Sequence, residues 1–266
     1  MTAGPLASVQ IVAVRPDRAE EHVTAERVMA GSLRPRTDLV GVRGPGPDTG
    51  RSDGEFWQDD RWFLKSRATR VHRARAAALA ALERLHEDKR TIGELTPSRT
   101  ILILTAAGGG RFQLWTLAPR LVTLREELDT ASAAGAWDGF AHALAGWSAA
   151  LSVALTSSLG AGLCLDASPS NFATQWGRLR YIDDDFSVRR DALGIEDAFA
   201  DRFGEYPAPA SAWDDYAHRF ASDLAARAPR PLRVQLGIEE RLRAAAGPRH
   251  VAAPYVARVL VALEAS

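Results

Sequence analysis

The chain has 266 residues, equal numbers of basic and acidic side chains (33 each), a formal net charge of zero and 46% hydrophobic residues. That length allows one large domain or two smaller units, and the balance excludes disordered, collagen-like and coiled-coil chains. With no basic surplus a nucleic-acid partner is not expected, and the lone Cys164 excludes an internal disulfide, a cysteine zinc site and an iron–sulfur cluster.

In chain order, residues 8–14 form a β-branched run and predict a strand. Residues 17–29 have helical spacing, with Asp17 at the N-cap position, and residues 39–43 predict a second short strand. A glycine- and proline-rich loop follows over residues 44–54. Residues 55–57 and 62–65 flank Gln58-Asp59-Asp60-Arg61 and predict a hairpin. Residues 67–88 are alanine-rich without Pro or Gly, and Val71, Ala78, Leu79, Leu82 and Leu85 fall on one helical face. Residues 101–105 and 112–117 predict strands separated by Gly108-Gly109-Gly110.

Beyond Leu117 the pattern turns helical, over residues 124–129 and the almost wholly apolar 136–159, which predicts a buried helix. Residues 163–165 and 179–182 are short β-like pieces around a loop. From Asp191 onward the helical pattern breaks at Pro207, Pro209, Pro229, Pro231 and Pro254. The expected fold is α+β with two lobes: a small β-rich N-lobe over residues 1–117 and a larger helical C-lobe over residues 118–266. A cleft between such lobes is where ligands commonly sit. No run approaches about eighteen consecutive apolar residues, so no membrane span is expected. Residues 7–13 lack a preceding basic segment, so no secretory leader is expected, and a cytoplasmic location follows as the expectation. No HExxH or G-x-S-x-G pattern occurs, which disfavours those hydrolases.

Two residue types are nearly absent. Lysine occurs only at Lys65 and Lys89 among the 33 basic residues, and asparagine only at Asn171. Where a disfavoured residue persists, its chemistry is a candidate requirement. Asn171 lies in the most informative stretch, residues 163–186, which carries Asp166, then Asn171, then a turn at Gly177 and an apolar run ending in Asp183. Transfer of a phosphoryl group from ATP needs such a set. A carboxylate accepts the proton of the acceptor hydroxyl, hard oxygen ligands hold Mg²⁺ against the phosphates, and an ammonium steadies their charge.

These residues resemble the protein-kinase-like superfamily, which includes the aminoglycoside phosphotransferases. Asp166-Ala167-Ser168-Pro169-Ser170-Asn171 fits the catalytic-loop pattern D-x-x-P-x-N, Tyr181-Ile182-Asp183 fits the metal-binding strand end, and Trp62-Phe63-Leu64-Lys65 fits the strand lysine. The resemblance implies Asp166 as the base, Asn171 and Asp183 as Mg²⁺ ligands, with Asp183 preferred to Asp184 by strand register. It implies Lys65 on the α- and β-phosphates, paired with Glu83 or, one turn on, Glu87 of the following helix. Gly44, Gly46 and Gly50 stand where the phosphate loop belongs, and Thr116 and Ala118 belong to a connector whose backbone would meet adenine. The implied cofactors are ATP and Mg²⁺, and the implied partner is a hydroxyl acceptor, protein or small molecule.

The chain departs from the family in three places. Cys164-Leu165 replace the usual His-Arg or His-Gly before the base, Asp184-Asp185 replace Phe-Gly after the metal ligand, and two prolines interrupt the glycine loop. The missing Arg argues against activation by a phosphorylated loop. The departures motivate an alternative, a pseudokinase acting as a nucleotide-binding or protein-interaction module. The last eighty or so residues carry only a faint likeness, at Ala208-Pro209-Ala210 and Trp213-Asp214-Asp215-Tyr216. Cys164 reads as a buried small side chain and the tryptophans as core or rim packing.

Overall fold

A computed structural model describes residues 9–13, 34–35, 54–67, 70–106, 109–161, 163–184, 186–187, 195–200, 203, 205–247 and 249–265. The expected helix over residues 17–29, the strand over 39–43, the loop glycines Gly44, Gly46 and Gly50, and Asp185 lie outside the described residues. The architecture is mixed α+β, and the chain divides into two compact units, Met1–Arg120 and Leu121–Ser266.

The first unit holds an antiparallel sheet. Its strands are β1 (Val9–Ala13), β2 (Arg34–Pro35), β3 (Gly54–Gln58), β4 (Trp62–Arg67), β5 (Val71–His72), β6 (Ile101–Ala106) and β7 (Phe112–Pro119). They are ordered β1-β6-β7-β4-β3-β2, with β5 also paired to β7. The β3–β4 turn closes on Asp59, whose Oδ1 accepts from the backbone N–H groups of Arg61 and Trp62, each at 2.7 Å. The β6–β7 turn uses Gly109 and Gly110 at φ of 57° and 73°, a left-handed conformation that a side chain would strain.

Helix α1 (Arg75–Thr91) starts later than the pattern over residues 67–88 predicts. Arg67 still belongs to β4, and Val71 and His72 pair with Gln113 and Phe112 of β7. Backbone pairing to an open strand edge satisfies donors and acceptors that a first helical turn would leave free. Val71 therefore leaves the helical face, and Ala78, Leu82, Leu85 and Lys89 are the buried positions of α1.

The sheet centre is buried on both faces. Trp62, Leu64, Ile101, Ile103, Trp115 and Leu117 form one cluster. Leu102, Leu104, Leu114 and Thr116, which alternate with these along β6 and β7, are buried as well. The unit break falls after Arg120 rather than after Leu117, because β7 runs on to Pro119 and Arg120 N–H donates to the Arg61 carbonyl at 2.8 Å.

The second unit is mainly helical: α2 (Leu124–Ala133), α3 (Trp137–Ala161), α4 (Ile195–Ala200), α5 (Ala210–Arg227), α6 (Arg230–Leu236), α7 (Ile238–Ala245) and α8 (Ala253–Glu264). Thr123 caps α2 in a reciprocal box with Glu126, giving it a sharp start. Four of the five proline breaks are helix starts: Pro209 and Pro229 are N-cap residues, and Pro231 and Pro254 sit in first turns, where a missing N–H is harmless; Pro207 lies in the segment before Pro209.

Helix α3 is the apolar centre of the unit. It is long and apolar enough to cross a membrane by length and composition, but 56% of that window is buried inside the protein. The packing accounts for the apolar composition: Trp147 stacks on Tyr216 of α5 at 5.3 Å, Phe140 meets Trp213 edge-on at 5.6 Å, and Ser148 donates to Asp223 at 2.6 Å. Two small antiparallel sheets complete the unit. One joins β9 (Phe172–Gln175) to β10 (Arg178–Tyr181), the other β8 (Cys164–Leu165) to β11 (Phe186–Ser187).

Candidate functional site

In the first unit, Lys65 sits on β4 with 6% of its surface exposed. Register places it opposite Thr116 of β7, which in turn lies opposite Leu102 of β6. Lys65 therefore shares a sheet face with two buried residues, and its position is fixed by strand pairing. Thr116 is buried, and its Oγ1 accepts from Arg70 at 3.4 Å. Its backbone lies within a strand paired on both sides, so it is not a connector residue. Ala118 differs: it pairs with Phe63 of β4, but β6 begins opposite Leu117, so its other edge has no partner strand among the described residues.

Glu83 is exposed on α1, one position past the buried Leu82, and makes no ion pair among the described residues; the expected pair with Lys65 is not formed. The reason is the helix register, which turns Ala78, Leu82, Leu85 and Lys89 inward and leaves Glu83 outward. Glu87 is also exposed and pairs with Arg90 at 3.0 Å. Lys89, the other rare lysine, is fully buried near the end of α1, where its carbonyl accepts from Thr96 Oγ1 at 2.7 Å.

In the second unit, the segments that carry Asp166, Asn171 and Asp183 come together. β8 ends at Leu165 and delivers Asp166 into an exposed loop. Asp166 Oδ1 accepts from the Ser168 N–H at 2.9 Å, which leaves Oδ2 without a protein hydrogen bond among the described residues. Pro169 opens a 3-10 turn over Pro169–Asn171, where its fixed φ suits the first position. Asn171 then ties the loop together. Its N–H donates to the Ser168 carbonyl at 2.9 Å, its carbonyl accepts from Ile182 N–H at 2.8 Å, and its Nδ2 donates to the Asp166 carbonyl at 3.4 Å. With Nδ2 engaged, Oδ1 is the amide atom suited to a cation. The loop also rests on α3, because the Trp147 indole N–H donates to the Ala167 carbonyl at 3.0 Å.

Asp183 and Asp184 follow β10 and are both buried, at 7% and 4% exposure. Tyr181 precedes them on β10, and its hydroxyl accepts the Asp166 N–H at 3.2 Å. Burial pushes the Tyr181 phenol well above its ordinary range, and the charge of Asp183 pushes the same way; the Asp166 N–H works against them, and the Asp166 and Asp184 charges add to the rise. Tyr181 is thus a neutral phenol at physiological pH, in electrostatic reach of all three carboxylates.

Among the described residues no group of three His, Cys, Asp or Glu lies close enough to hold a metal by itself. Mg²⁺ characteristically takes one or two protein oxygens and completes its shell with water and substrate phosphates, whereas structural Zn²⁺ and Ca²⁺ sites need a fuller protein cage. An amide oxygen at Asn171 and a buried carboxylate at Asp183 are oxygen donors of the type that Mg²⁺ accepts.

Gly177 does occupy the expected turn, at φ 71° between β9 and β10. Its neighbour Trp176 is also left-handed, at φ 53°, and is 78% exposed, so the expectation that the tryptophans are core or rim residues does not extend to it. Cys164 is buried, as its surroundings in β8 require. Residue-type reasoning missed the parts played by Tyr181 and Trp147. The available signal was the aromatic spacing Phe172, Tyr181, Phe186 around the two motifs. No family model, no curated protein and no solved structure matches this chain.

Proposed function

We propose that the chain is an ATP- and Mg²⁺-dependent phosphotransferase built on a two-lobed, protein-kinase-like plan. The observation that carries this reading is that Asn171 is hydrogen-bonded to Asp166 on one side and to Ile182, next to the buried Asp183, on the other. In the proposed reaction Asp166 Oδ2 accepts the proton of an acceptor hydroxyl. The acceptor oxygen forms a bond to the γ-phosphorus, the bond from that phosphorus to the bridging oxygen breaks, and ADP leaves. Asn171 Oδ1 and Asp183 would hold Mg²⁺, which supplies charge neutralisation at the phosphates. Lys65 is assigned to the α- and β-phosphates and the open edge at Ala118 to adenine, both by the family resemblance. The acceptor is a protein Ser/Thr or a small molecule, and the proposed location is the cytoplasm.

Incubation with γ-labelled ATP and Mg²⁺, alone and with separated protein and metabolite fractions, tests the reading. Label should move to one of the two fractions with the wild-type chain and stay on ATP with Asp166→Ala or Asp183→Ala. Transfer at wild-type rates by both variants would refute the assignment.

A second reading, a pseudokinase that binds nucleotide or a partner without transfer, is motivated by the exposed, outward position of Glu83, where the resemblance implies an ion-paired helix glutamate. A thermal-shift titration with ATP, with and without Mg²⁺, separates the two. Stabilisation without turnover supports the second reading.

A further inference from the structure

Tyr181 joins the three segments that carry the proposed chemistry. Its hydroxyl accepts the backbone N–H of Asp166 at 3.2 Å. Its backbone pairs with Phe172, the residue directly after Asn171, and the two rings lie 5.1 Å apart. Its ring also meets Phe186, which follows the acidic triplet, at 5.8 Å, and Phe186 pairs in turn with Leu165, the residue before Asp166. The side chain is fully buried. A ring that only filled the core would need no hydroxyl, and burying a phenol is unfavourable unless it finds a partner.

We propose that Tyr181 is a positioning residue for the reaction assigned to Asp166. The hydroxyl fixes the peptide that leads into the Asp166 side chain, and the ring holds the Asn171 and Asp183 segments at a set spacing from it. The inference rests on the phosphotransferase reading. A carboxylate that must meet an acceptor proton loses rate when its carrier peptide shifts, even with all reacting groups present. Because Tyr181 touches neither nucleotide nor acceptor in this scheme, its effect should fall on turnover and not on binding.

Tyr181→Phe keeps the ring and removes the hydroxyl. The expected result is a fall in kcat of about tenfold with KM for ATP unchanged, beside a drop in Tm of only about 2–4 °C from the one lost hydrogen bond. A merely structural role would lower Tm and active fraction without this split. Amide hydrogen exchange gives a readout independent of turnover and, in the wild type, of folding of the variant. The Asp166 amide should exchange more slowly than an open loop amide in the wild-type protein and lose that protection in Tyr181→Phe. A wild-type kcat in a folded Tyr181→Phe, or an unprotected Asp166 amide in the wild type, overturns the inference. Failure of the underlying reading looks different: Asp166→Ala then transfers phosphate like the wild type, or the wild type transfers none, and the positioning role falls with it.

Discussion

The two units hold their candidate site residues by opposite means. Lys65 is set by the sheet: its neighbours on both sides are strands, its register to Thr116 is fixed by backbone pairing, and its face is shared with buried Leu102. Asp166, Asn171 and Asp183 sit in irregular backbone, and side chains do the holding: Tyr181 on the Asp166 N–H, Asn171 on the Asp166 carbonyl, and Trp147 on the Ala167 carbonyl. Register is collective, so a single side-chain loss next to Lys65 should scarcely move it. A loop pinned by individual hydrogen bonds has no such reserve, and each bond should be visible in function.

The largest effect should come from the loop residues themselves. Asp166→Ala and Asp183→Ala should each lower phosphotransfer by about 10²–10⁴-fold, read as label transfer from ATP at unchanged far-ultraviolet circular dichroism. Trp147→Ala comes next. It removes a fully buried ring stacked on Tyr216 together with the donor to the Ala167 carbonyl, and should cost about 3–5 kcal/mol in urea unfolding and reduce transfer beyond what the folded fraction explains. If the loss of activity only tracks the unfolded fraction, side-chain pinning of this loop is refuted.

The matching change in the sheet is Ser66→Ala, beside Lys65. It deletes the buried hydroxyl that donates to the Leu114 carbonyl at 2.7 Å. The expected cost is about 1 kcal/mol of stability with no change in ATP affinity or transfer, because strand pairing still sets Lys65. A loss of affinity here would erase the contrast between the units. Smallest is Glu83→Ala, at an exposed helix position without an ion pair among the described residues. Stability should stay within about 0.5 kcal/mol, and ATP affinity should be unchanged. A large loss of affinity would mean that Glu83 pairs with Lys65 when nucleotide binds.

Much of the secondary structure was legible in the residues. The hairpin at 55–65, the strands at 101–105 and 112–117, the apolar helix near 136–159 and the proline-started helices all follow from local periodicity and turn chemistry, which act within a few positions of sequence. The candidate site was picked out by rarity of residue type. Two of the three rare residues, Lys65 and Asn171, fall at a buried strand position and at the centre of the loop network. Lys89 shows the limit of that argument, since it is buried at the end of α1 with no part in the proposed chemistry.

What the residues did not reveal depends on partners distant in sequence. Residues 71–72 have good helical spacing, yet they join β7, because an open strand edge forty residues away offers them hydrogen bonds that a frayed helix start does not. Glu83 has a suitable charge and spacing, but the face it occupies is decided by which side of α1 meets the sheet. Tyr181 reads in sequence as one more strand aromatic, and only packing against Phe172 and Phe186 brings its hydroxyl to the Asp166 peptide. The sequence alone determined which chemical groups are present and which local elements carry them. The tertiary structure decided which of those groups meet, because burial and hydrogen-bond partnership are properties of segments brought together by folding and have no local period to announce them.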